Sequence, residues 1–153
     1  MKKLLVVLLT ALLLCGCSGK KEDNNTVEAN TVGTKQLAVF AASSETDLNK
    51  LAEELIKANS IKDLTLVSME VEPGWLNGFT DDVTNFTKGV VVSPMIGTIP
   101  YVSYVFETED TAALIAELEE KSDLRWNICT EADEKVSGER GNLVFFIMCS
   151  NDQ

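Results

Sequence analysis

The last apolar run of the chain, Leu143-Val144-Phe145-Phe146-Ile147-Met148-Cys149, places the strongest demand on any fold that this sequence adopts. A β-strand turns successive side chains to opposite faces, so a strand made of these residues is apolar on both. It therefore reads as a central strand of a sheet. Residues 135–139 precede it, and Arg140-Gly141 between the two segments suits the turn of a hairpin.

The segments upstream supply the rest of a small domain. Over 47–59, Leu48, Leu51, Ala52, Leu55 and Ile56 fall on one helical face and Lys50, Glu53, Glu54 and Lys57 on the other, with Ser44 or Thr46 as the expected cap. Residues 64–71 read as a strand, ended by Pro73, Gly74 and Gly78 in a loop. Residues 89–93 and 101–107 read as two more strands, Val102, Tyr104 and Phe106 sharing a face of the second. A further helix is expected over 108–121, with Leu114, Ile115 and Leu118 inward. Residues 37–42 read as a weak strand or an apolar lead-in. The order predicts an α+β fold: a mostly antiparallel sheet with two helices packed on one face, or alternatively a ferredoxin-like split βαβ arrangement.

The amino terminus has a different character. Lys2 and Lys3 precede an apolar run of about 11 residues, too short for the roughly 20 of a spanning helix, and Leu14-Cys15-Gly16-Cys17 follows. This is the pattern of a bacterial lipoprotein signal, residues 1–17, cut before Cys17 so that the Cys17 thiol carries diacylglycerol and palmitate-type acyl chains. Residues 18–35 are polar without a hydrophobic period and read as a tether, with a typical span near 23 Å at about 5–6 Å × √n. Residues 36–153 are then one α+β domain, held on the extracytoplasmic face of the cell membrane.

Charge and composition exclude several functions. Removing the leader takes away two lysines and no acids, so the net charge of −11 becomes about −13. So acidic a chain, with no basic cluster longer than Lys20-Lys21, is not expected to bind nucleic acid. Histidine is absent, which removes the commonest general base and transition-metal ligand. No nucleotide-binding glycine motif is present, and the acid clusters Asp81-Asp82, Glu107-Glu109-Asp110 and Glu131-Asp133-Glu134 lack calcium-loop spacing. No cofactor and no metal are expected.

From 51 to 149 the chain resembles a family of small lipoproteins of clostridial-type Gram-positive bacteria that contain a domain of unknown function. The resemblance rests on Leu51-Ala52-Glu53-Glu54-Leu55, on Gly89-Val90-Val91-Val92-Ser93-Pro94-Met95, on 125–135 (Arg125-Trp126-Asn127-Ile128-Cys129 and onward) and on 141–148. It implies a cell-envelope setting, with an envelope protein or a polysaccharide-modification system as partner, and assigns no catalytic residue. Many members carry an acidic residue near the start of the strand after the Pro-Met loop; this chain has Pro100-Tyr101-Val102 there.

Few residues stand out as candidate sites. Trp75, in a Pro/Gly loop, is either a partner-binding aromatic or a side chain packed over the core edge with Leu76 and Phe79. Trp126 carries the same ambiguity. Cys129 and Cys149 are either a disulfide or two small buried hydrophobes. The expected function is a non-catalytic binding or accessory module of the cell envelope, attached to the membrane through its N-terminal lipid. The alternative is an enzyme acting on an envelope substrate through carboxylates or Cys129, a thiol for which Arg125 is the nearest activating cation in sequence.

The anchor has a direct test. Cys17→Ser is expected to release the protein from the membrane fraction or leave its precursor unprocessed, and fractionation with a mass measurement reads either result. A serine variant found in the membrane at wild-type mass would show that Cys17 carries no anchor.

Overall fold

The computed structural model describes residues 30–151, so the leader, Cys17 and most of the expected tether lie outside the described residues. Three helices, α1 (Val32–Ala42), α2 (Leu48–Lys57) and α3 (Thr111–Lys121), accompany five strands, β1 (Leu66–Val71), β2 (Lys88–Pro94), β3 (Tyr101–Glu107), β4 (Glu134–Arg140) and β5 (Leu143–Cys149). The strands form one sheet in the order β1-β2-β3-β5-β4, and every neighbouring pair is antiparallel. The chain is thus an α+β protein.

The apolar run at 143–149 occupies an interior position in that sheet. All seven β5 residues are buried. Leu143, Phe145, Ile147 and Cys149 enter a core that includes Val32 and Phe40 of α1 and Leu48, Leu51, Ala52 and Leu55 of α2. Val144, Phe146 and Met148 enter a second core with Leu114 and Leu118 of α3, together with Leu76, Phe79, Val83 and Phe86 from the long loop after β1. Phe145 stacks on Phe40 at 5.6 Å between ring centres, and Phe146 meets Phe79 at 5.5 Å on the other side.

The helix arrangement differs from the expected one. Two helices do share a face, but they are α1 and α2; the helix expected beside α2, now α3, covers the opposite face. The physical reason is β5 itself, whose second apolar face needs its own cover. The split βαβ alternative is realised locally: β3, α3 and β4 are such a unit, with β5 inserted antiparallel between the two strands.

Helix α1 also corrects two boundaries. Residues 37–42, read as a weak strand or an apolar lead-in, are helical, and the helix reaches back to Val32, inside the stretch read as the end of the tether. Alanine and leucine favour a helix here, and Thr31 caps it reciprocally with Thr34. Val32, Gln36 and Phe40, one turn apart, form its buried stripe. The helix lies along β4: the Gly33 N–H donates to Glu134 Oε1 at 2.7 Å, Leu37 packs over Gly138, and Arg140 donates to the Phe40 carbonyl at 3.2 Å. The cap of α2 is Asp47 rather than Ser44 or Thr46.

The expected β4–β5 hairpin forms, with its turn one residue later than Arg140-Gly141, because Arg140 still belongs to β4. Arg140 pairs with Leu143 across Gly141-Asn142, and Gly141 takes φ +63°, the left-handed region that such a two-residue turn needs.

Leu55→Ala in α2 and Phe146→Ala in β5 probe the two cores separately. Both side chains are fully buried, and each truncation is expected to lower stability by about 2–5 kcal/mol. Thermal or urea unfolding measures the loss, and an unchanged midpoint in either variant would show that its face is not packed.

Candidate functional site

The strands divide the domain into two ends of contrasting chemistry. One end carries the 43–47 turn, the start of the long loop at 72, and the turn into α3. Asp47, Glu70, Glu72, Lys88 and Glu107 surround a cleft of about 380 Å3 there. Its polar groups engage one another: Lys88 lies 3.3 Å from Glu107, Asn49 donates to Glu70 at 3.0 Å, and Asp47 accepts the α2 N–H groups of Asn49 and Lys50.

The other end holds a groove of about 430 Å3 between the β2–β3 loop (95–100) and the loop after α3 (122–133). Pro94 and Tyr101 border it on one side, and Trp126, Ile128 and Cys129 on the other. The two loops are joined at one carbonyl: Thr98 O accepts from Thr130 Oγ1 at 2.8 Å and from Asn127 Nδ2 at 3.4 Å. Asp123 shapes the second loop by accepting the Arg125 N–H at 2.9 Å, while its own N–H donates to the Gly78 carbonyl at 2.9 Å. Trp126 packs against the α3-side core, so of its two readings the structural one holds. Beyond it, Ile128 is 98% exposed and Ile96 88% exposed, with Met95 exposed beside them.

The cysteines do not pair. Cys129 and Cys149 are both free thiols, Cys129 exposed and Cys149 buried, which corrects the candidate disulfide. The placements differ because Cys149 ends an interior strand while Cys129 rides on a surface loop. Burial, reinforced by the neighbouring Glu134 carboxylate, pushes the Cys149 thiol far above its ordinary value. It stays protonated and donates to Glu134 Oε1 at 3.5 Å. Arg125, the cation nearest Cys129 in sequence, has its guanidinium 3.4 Å from Glu131.

Trp75 stands clear of the core, 69% exposed, while its neighbours Leu76 and Phe79 are buried. The loop that carries it is fixed at several points. Gly74 and Val83 exchange backbone hydrogen bonds at 2.9 and 2.8 Å, and Tyr104 donates to the Asn77 carbonyl at 2.7 Å. Glu117, buried on α3, accepts the N–H groups of Thr84 at 3.1 Å and Asn85 at 3.0 Å and pairs with Lys121 at 2.8 Å. Anchored this way, Trp75 presents its ring on a set backbone, which lowers the ordering cost of any contact it makes.

The acid clusters serve local structure. Asp110 caps α3, Asp133 accepts from Ser150 and Asn151, and Glu134 receives the start of α1. Among the described residues no three histidine, cysteine, aspartate or glutamate side chains gather as a metal-holding group. The apolar rim of Met95, Ile96 and Ile128 was not singled out from the sequence. Its signal is the absence of charge from 94–104 and from 126–130, in a chain otherwise rich in acids.

Glu117 gives the loop a pH dependence. Burial pushes its carboxyl up, but Lys121 and the two N–H donors outweigh that and hold it below its ordinary value of 4.5. The ionised form thus stabilises the fold above that value, and the contribution is lost as the pH falls through the lowered one. Glu117→Gln is expected to unfold at lower urea than the wild type at pH 7, with the gap closing in acid. A gap that stays constant with pH would show that the charge of Glu117 contributes nothing. Comparison with known proteins finds no matching family model, no matching curated relative and no matching solved structure.

Proposed function

We propose that this chain is a membrane-anchored extracytoplasmic lipoprotein whose domain is a non-catalytic binding or accessory module of the cell envelope. The leader and Cys17 support the anchoring. The observation that carries the binding role is Trp75, a large aromatic held in solvent by a loop that hydrogen bonds fix on both sides. A side chain of this size, exposed and preorganised, suits the centre of a contact with a protein or a sugar. Membership of the clostridial-type lipoprotein family, and an envelope protein or polysaccharide-modification system as partner, belong to the same proposal.

A second reading, an enzyme working through Cys129, has one observation in its favour: the thiol is exposed beside a groove. Against it, the groove's lining offers no carboxylate or base, and Arg125 is not among the lining residues but lies 3.4 Å from Glu131.

Two measurements separate the readings. Trp75→Ala in the full chain is expected to keep the unfolding midpoint while losing, by tenfold or more, the partner recovered by cross-linking in intact membranes. Equal recovery by wild type and variant would remove Trp75 from the binding role. Rapid iodoacetamide labelling of Cys129 near neutral pH, with a turnover abolished in Cys129→Ser, would overturn the non-catalytic reading.

A further inference from the structure

Three features of the groove end point the same way. The first is its surface. The β2–β3 loop, Pro94-Met95-Ile96-Gly97-Thr98-Ile99-Pro100, carries no charge, nor does Trp126-Asn127-Ile128-Cys129-Thr130 opposite it. Ile96 and Ile128 project almost wholly into solvent. They extend from two loops joined at the Thr98 carbonyl, so they form one apolar tip.

The second is the origin of the domain. Gly33 is bonded to Glu134, Glu134 pairs with Cys149, and Cys149 pairs with Tyr101, the first residue of β3. The chain therefore enters the domain at the same end of the sheet as the tip. Residues 18–30 separate Cys17 from Thr31 and, fully extended, reach about 50 Å, more than the strand length of about 23 Å, so the tether starts at the tip end but leaves the choice of contact face to the surface itself.

The third is the distribution of charge. Asp47, Glu70, Glu72, Glu107, Glu109 and Asp110 lie at the opposite end, around the α2 cleft and the turn into α3. The tip end is not free of acids, but Asp123, Glu131, Asp133 and Glu134 lie behind the uncharged loop residues and share that end with Arg125, which pairs with Glu131, and with Lys135, which pairs with Glu119.

From this we infer that the tip rests on the bilayer, with Met95, Ile96 and Ile128 seated in the headgroup and upper acyl region and the acidic end turned outward. The inference rests on reading Cys17 as the lipid anchor. The acylated anchor supplies the attachment and the apolar tip sets the orientation. The contact is apolar rather than electrostatic, so it persists in uncharged lipid and in high salt.

Cys129, exposed beside Ile128, is a built-in probe. The mature lipoprotein is labelled there with an iodoacetamide-linked nitrobenzoxadiazole and reconstituted into phosphatidylcholine vesicles, with and without phosphatidylglycerol. The expected result is a blue shift of the label's emission and quenching by headgroup-proximal spin-labelled lipid, in both vesicle types. Ile96→Asp with Ile128→Asp should lose the shift while keeping the unfolding midpoint. A label at the far end, Glu109→Cys in a Cys129→Ser background, should show none. An unshifted label on vesicle-bound protein, or equal shifts at both ends, would overturn the orientation and leave the anchor standing. A shift that arises only when membrane proteins are added would give the tip to a protein partner and also overturn it. The mass of the N-terminal peptide reads the anchor separately; a peptide without lipid would remove that premise and the inference with it.

Discussion

The fold depends on one strand that is apolar on both faces. Burying Val144, Phe146 and Met148 is as necessary as burying Phe145 and Ile147, so β5 cannot lie at an edge or face water on either side. Every other element can be understood as a response. β3 and β4 saturate its backbone hydrogen bonds, α1 and α2 roof one face, and α3 with the loop at 72–87 roofs the other. The second roof is only partly helical. Leu76, Phe79, Val83 and Phe86 reach the core from irregular backbone, which is why that loop requires the Glu117 and Tyr104 hydrogen bonds.

Much of this architecture was legible in the residues. The strands at 64–71, 89–93, 101–107 and 143–149 and the helices at 47–59 and 108–121 carry strong periods, and the structure forms each within a few residues of the expected bounds. Helix α1 was less legible because its stripe is interrupted: Gly33 and Gln36 occupy inward positions where a periodic reading seeks larger apolar residues. Gly33 is there for contact, since a Cβ would press on Val136 and Glu134. The layer to which α3 belongs follows from β5, but only when its two-faced character is carried through to the count of covering elements.

The candidate site was less legible than the fold. Trp75 was found by residue type and loop context, yet its exposure depends on the backbone geometry that turns Leu76 and Phe79 inward and leaves Trp75 out. The Cys129–Cys149 pairing failed for a reason that spacing along the chain does not reveal: one thiol is sealed inside a strand and the other rides on a loop. The apolar tip is built from segments thirty residues apart, and neither is conspicuous alone. Their conjunction comes from strand register, which is a property of the assembled sheet.

The placement of α1 along β4 also has a mechanical consequence. A pull directed along the axis of α1 through residue 31 loads several contacts together, because Gly33, Leu37 and Phe40 meet β4 in succession at Glu134, Gly138 and Arg140. Such a load shears the whole helix–strand contact at once instead of opening it one residue at a time. The Arg140 guanidinium, 5.3 Å from the Phe40 ring centre and bonded to the carbonyls of Phe40 and Glu45, adds a catch at the far end of that contact. Under such an axial load the first element of the domain would share the strain with β4 rather than peel away alone.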